Sequence, residues 1–243
     1  MARFVLVHGA WHDAWCWEGI AGDLRDAGHE VDAIDLPGHG ADTTPHDQVT
    51  LDAYAQRIAE ALGDEGEPVV LVGHSMGGIA VTQAAELRPE RIARLVYLTA
   101  FLPRNGESLQ ALAALPENPN DIVVPNCDIA PPVAIIPDWA ATAAFYNRCS
   151  AQDTDAAIAR LNPQPLPPLA TPVATTAERA GSVERHYIAC TDDNAIPIAL
   201  QRRMISESPC ATVAEIDTDH SPFLSARAEL VSALNAVTLE VAA

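Results

Sequence analysis

The chain has 243 residues, 49% of them hydrophobic and 19% charged, with a formal net charge of −19 at pH 7 and a pI of about 4.5. That length holds one large core, or one core with a lid. A surface this acidic repels phosphate backbones and anionic membranes, which argues against a nucleic-acid or membrane partner.

In chain order, Phe4–Val7 is a short apolar run followed by His8, Gly9, Ala10 and Trp11, and it reads as a buried strand ending in a glycine turn. Trp15, Ile20 and Leu24 follow at helical spacing, and Gly28 stops the pattern. Val31–Ile34 is a second strand, and Asp35-Leu36-Pro37-Gly38-His39-Gly40 enforces a loop after it. Thr50 caps a helix running through Leu62, with Leu51, Tyr54, Ile58 and Leu62 on one face. Val69–Val72 is a third strand, and Ile79, Ala80, Gln83, Ala84 and Leu87 mark a helix closed by Pro89. Leu95–Leu98 is a fourth strand. Alternating strands and helices predict a parallel sheet with right-handed crossovers, and such sheets bind ligands at the carboxyl ends of their strands.

The rhythm breaks between Pro103 and Val183, where prolines cluster and two short helical candidates lie near Trp139–Cys149 and Asp153–Leu161. Trp139, Phe145 and Tyr146 need burial, so this stretch reads as a lid over the strand ends and not as a linker. Residues 104–182 are therefore assigned to the cap, and 1–103 with 183–243 to the core of a single structural unit. Alternation resumes with a strand at His186–Ala189, a helix at Ala199–Ser206, a last strand at Val213–Ile216 and a terminal helix from about Ser225 to Val241.

The chemistry centres on Gly73-His74-Ser75-Met76-Gly77, between a strand and a helix. This is G-x-S-x-G in the context it requires, a turn tight enough to lift the serine hydroxyl above the sheet. Serine needs a base, and the base needs a partner to fix its tautomer. His220, in the loop after the last strand, falls at the same sheet edge as Ser75, and Asp193 follows the preceding strand. Asp192 is the competing acid. The N–H groups of Met76 and Ala10 are placed to form an oxyanion hole. Candidate pocket walls are Gly9, Trp11, His12, Trp139, Phe145, Tyr146 and Ser221. Metal spacing, a Walker lysine motif and G-x-G-x-x-G are all missing.

Cys16, Cys127, Cys149, Cys190 and Cys210 make an odd number without a C-x-x-C pair, which suggests free thiols in a reducing cytoplasm. The N-terminus runs straight into a strand without a signal-peptide segment, and no stretch is long enough to span a membrane.

Taken together, His8-Gly9-Ala10, Asp35–Gly40, Gly73–Gly78, Ala100-Phe101-Leu102-Pro103, Tyr187–Pro197 and Asp219-His220-Ser221-Pro222-Phe223 resemble the α/β-hydrolase superfamily. Within it they resemble the small branch of plant methyl esterases, hydroxynitrile lyases and bacterial esterase relatives. The resemblance spans nearly the whole chain and is weakest in the lid. It implies an α/β-hydrolase fold: a mostly parallel sheet of about six strands, flanked by helices, with a helical cap inserted after the fourth strand. It also implies a Ser75–His220–Asp193 triad and no cofactor. The lyases of this branch carry a threonine and a lysine where this chain has Gly9 and Ser221, which argues against lyase chemistry. The expected function is a serine esterase acting on a small, largely apolar ester. A non-hydrolytic lyase or cyclase, or a ligand receptor with vestigial turnover, stays open on the sequence, as does a homodimer.

Overall fold

A computed structural model describes residues 1–239. The first strand, β1 (Arg3–Val7), is buried along almost its whole length, as expected of a central strand covered on both faces. The chain continues through α1 (Glu18–Asp26), β2 (Glu30–Ile34), α2 (Leu51–Leu62), β3 (Val69–His74), α3 (Gly77–Leu87) and β4 (Ile92–Leu98). Thr50 caps α2 by accepting the N–H of Ala53. After a long excursion come β8 (Arg185–Cys190), α8 (Ile198–Glu207), β9 (Thr212–Ile216), the short α9 (Pro222–Ser225) and α10 (Arg227–Leu239).

These strands form one six-stranded sheet in the order β2-β1-β3-β4-β8-β9, every neighbouring pair parallel. The chain leaves β1 toward one edge of the sheet and returns to β3 on the other side. The loops after β1 and β3 therefore diverge and open a crevice, the place where open α/β sheets bind ligands. One face is covered by α1 packed on α10, and the other by α2 packed on α3.

The excursion between β4 and β8 is not all helix. It holds α4 (Leu109–Ala113), β5 (Asp128–Ala130), β6 (Val133–Ile135), α5 (Asp138–Phe145), α6 (Ala151–Ile158), β7 (Gln164–Pro165) and α7 (Pro167–Ala170). The three strands form a small antiparallel sheet, β5-β6-β7, that the sequence reading of a helical cap omits. Strands of two or three residues are too short to carry a period-two pattern, and prolines interrupt them. The terminal helix starts at Arg227, with α9 a separate turn before it; its expected end at Val241 lies outside the described residues. The five cysteines are unpaired. Among the described residues, no helix is long and apolar enough to cross a membrane.

Candidate active site

Ser75 follows β3 directly and has φ +54°, a left-handed conformation. Tight glycine packing lets the turn form. A Cβ on Gly73 would lie 2.7 Å from the Gly77 carbonyl oxygen, and one on Gly9 would lie 2.8 Å from Ser75 Cβ. The turn is tied down by two bonds across the sheet: Ser75 N–H donates to Leu98 O (3.3 Å), and Phe101 N–H donates to Ser75 O (3.1 Å).

His220 lies in the loop after β9, and its Nδ1 meets Asp193 Oδ2 at 2.7 Å, with both side chains buried. Asp193 Oδ1 accepts the N–H groups of Ala195 (2.7 Å) and Ile196 (2.8 Å), and Oδ2 also accepts the Thr99 hydroxyl. Four donors thus hold one buried carboxylate, which offsets the cost of burying its charge. Asp192 points the other way. Its side chain is half-exposed and pairs with Arg148 at 3.2 Å, and its backbone oxygen accepts from Asn147.

Ala10 and Met76 both line the cavity beside Ser75. Among the described residues, neither backbone N–H donates to a protein acceptor. Two free N–H groups at one serine are what a developing oxyanion requires. The cavity measures about 280 Å³ and is walled by Trp11, Phe101, Leu109, Phe145 and Ile196, among other apolar side chains. Among the described residues, Asp121 is the one carboxylate on this wall, and no arginine or histidine joins it there.

Trp11 and Phe145 are wall residues, their rings 5.8 Å apart. The other candidate walls stand elsewhere. Trp139 is 60% exposed: α5 buries Ala140, Ala141, Ala144 and Phe145, and Trp139 falls on the opposite face. Gly9, His12, Tyr146 and Ser221 are absent from the wall. Gly9 packs against Ser75, and Ser221 is enclosed behind His220, its N–H donated to Asp219 Oδ1 (3.0 Å). His12 and Tyr146 meet behind the wall, where the Tyr146 hydroxyl donates to His12 Nε2 (2.8 Å).

Three buried histidines support the site from behind. His8 donates Nδ1–H to Gly9 O, His12 donates Nδ1–H to Ala10 O, and His74 donates Nε2–H to His220 O, each at 2.8 Å. Burial lowers the pKa of all three, that of His12 to about 4, so they stay neutral and keep these tautomers. Sequence reading gives His8 and His74 no role in the site; His8 bonds the carbonyl of the next residue, whereas His74 reaches that of His220, 146 positions away, which only folding brings near. It also missed Thr99 and Gln164. Gln164 Oε1 accepts the N–H of Trp11 (3.2 Å), which bears on the loop carrying Ala10. No local signal marks either residue.

Residues 4–233 match the profile described as the alpha/beta hydrolase family. Methylesterase 7 of Arabidopsis thaliana is 36% identical over 245 residues, covering 96% of this chain and 94% of that protein. Among solved structures, polyneuridine aldehyde esterase superposes with a TM-score of 0.88 at 29% identity, covering 98% of this chain and 99% of that one. Tomato methylketone synthase I, solved with 2-tridecanone, gives a TM-score of 0.87 at 27% identity, covering 98% of each chain.

Proposed function

The chain belongs to the alpha/beta hydrolase family and is a carboxylic ester hydrolase, and from that premise we propose that Ser75, His220 and Asp193 are its catalytic triad. The observation that carries this is the 2.7 Å contact between His220 and Asp193, at the sheet edge where Ser75 is turned toward the cavity. Ser75 Oγ attacks the ester carbonyl carbon while His220 Nε2 takes its proton. Asp193 holds the opposite ring nitrogen as the donor and stabilises the imidazolium. The carbonyl oxygen becomes an oxyanion and accepts from the N–H groups of Ala10 and Met76. As the tetrahedral centre collapses, the alcohol leaves with the proton from His220, and an acyl-Ser75 ester remains. Water then attacks that ester, His220 acts as base again, and the carboxylic acid and free serine are released.

The substrate is an ester of a small alcohol and an uncharged, largely apolar acid. A cavity of about 280 Å³ lies at the small end of ligand pockets, which run to roughly 300–1,000 Å³. Its wall carries no cation to meet a second carboxylate. The similarity to a plant methylesterase supports a methyl ester. Residues 104–182 act as the cap that shapes this pocket. Five unpaired thiols support a reducing compartment, the cytoplasm.

The test is hydrolysis of a short-chain p-nitrophenyl ester and of a panel of methyl esters by wild type, Ser75→Ala and His220→Ala. Both variants are expected to lose about a thousandfold or more in kcat. Turnover retained in either variant rejects the triad.

A further inference from the structure

Thr99 is a buried hydroxyl that the steps above leave unused. It is the first residue after β4 and has φ +35°. Only three non-glycine residues among those described have a positive φ, and the other two are Trp11 and Ser75. For a β-branched residue this backbone conformation is a genuine outlier, kept only where the surroundings enforce it. The Thr99 N–H donates to Ile188 O (2.7 Å), which anchors the turn on β8. The hydroxyl is thereby brought to Asp193 Oδ2.

The two oxygens of Asp193 are held differently. Oδ1 is fixed from within its own loop by Ala195 and Ile196. Oδ2 is the oxygen that meets His220, and its other donor is Thr99, reaching across from β4. Resting on the triad reading above, we propose that Thr99 is a positioning residue, whose hydroxyl fixes the Asp193 oxygen that orients His220.

Two consequences follow from removing that hydroxyl. The carboxylate gains freedom to rotate about its Cβ–Cγ bond, and the imidazole swings with it. More of the carboxylate charge also falls on His220, which favours the imidazolium. The titratable groups around the pair are Cys190 and Tyr187 of β8, His74, His12 and Asp219. Burial pushes the first two up and both histidines down, so all four are neutral at working pH. Asp219 is enclosed by its own donors, Arg148 N–H, Ser221 N–H and the Ser225 hydroxyl among them. Thr99 is not on the cavity wall, so substrate affinity is untouched.

The experiment compares Thr99→Val, which keeps the shape and removes the hydroxyl, with Thr99→Ser, which does the reverse. In Thr99→Val, kcat is expected to fall about tenfold to a hundredfold with KM within about twofold, the scale of a small misplacement of a catalytic group. The acid limb of kcat/KM moves up by about half a pH unit or more. Thr99→Ser is expected to keep most of the turnover and the wild-type limb. The proposal is overturned if Thr99→Val matches wild type in kcat and pH profile, or if Thr99→Ser loses as much as Thr99→Val. Should Thr99→Val fail to fold, Thr99→Ala takes its place under the same criteria. Ser75→Ala is run alongside: if it stays active, the triad reading falls with this one, whereas an inactive Ser75→Ala beside a wild-type-like Thr99→Val removes this inference alone.

Discussion

Ser75, Trp11 and Thr99 turn left-handed at the carboxyl ends of β3, β1 and β4, and each turn brings a different part of the site to one place. The close approach of Gly9 to Ser75 makes residue 9 a sensitive point. A methyl group there would sit 2.8 Å from Ser75 Cβ and 2.9 Å from the His74 ring, so one or both must move. Gly9→Ala is expected to lower kcat about a hundredfold, the effect of shifting a nucleophile by about 1 Å, with the fold intact by circular dichroism. Wild-type kcat in that variant would show that the packing is looser than these distances. Ser75 and His220 were legible in the sequence because their signals are local: a five-residue motif between a strand and a helix, and a histidine after the last strand. Thr99 was not, because its contact with Asp193 spans 94 positions and no neighbouring residue marks the turn. An aromatic side chain alone does not mark burial: the helix face decides, and it leaves Trp139 exposed.

At the scale of elements, two of the places where the cap is tied to the core lie next to the site. Trp11 is held by Asn162 N–H on its carbonyl (2.7 Å), by Gln164 Oε1 on its N–H, and by Ala134 O on its indole N–H (3.1 Å). At the other end, the chain after α5 reaches the loops that carry His220 and Asp193. Arg148 N–H donates to Asp219 Oδ2 (2.8 Å), and Asn147 donates to Asp192 O (3.0 Å). Gln164 is fully buried, and its amide also donates to Pro165 O (2.8 Å). Gln164→Ala strands the buried Trp11 N–H and is expected to cost about 1–3 kcal/mol in urea unfolding. A midpoint within error of wild type would mean that Trp11 finds another partner. Strands β1, β3 and β4 were legible as apolar runs of four residues; β5, β6 and β7 were not, because pairing within the cap, not local pattern, makes them strands.

For the molecule as a whole, the neutral histidines set a pH limit. His8, His12, His39 and His74 are buried with lowered pKa values, desolvation being the first cause in each. Below about pH 6.5 the unfolded chain takes up protons at these sites that the folded chain refuses, so stability is complete above that pH and is lost as pH falls toward 4. For His12 alone, a displacement from 6.5 to about 4 corresponds to about 3 kcal/mol at the low end of that range. Chemical unfolding at pH 7 and pH 5 is expected to show a clear loss of stability at pH 5; equal stability would mean that these histidines are solvated in the native state. The alternation of strand and helix made the sheet legible from sequence, whereas the bond from His74 to His220 O joins residues 146 positions apart and has no local signal.

The central claim is that Ser75 is the nucleophile. The most direct measurement is to treat the protein with a fluorophosphonate probe and locate the adduct by peptide mass spectrometry, with Ser75→Ala in parallel. One adduct per chain on the peptide carrying Ser75, none in the variant, and loss of ester hydrolysis in step with labelling is the expected result. A protein that hydrolyses esters but carries no adduct at Ser75, or labels equally well without it, would contradict the claim.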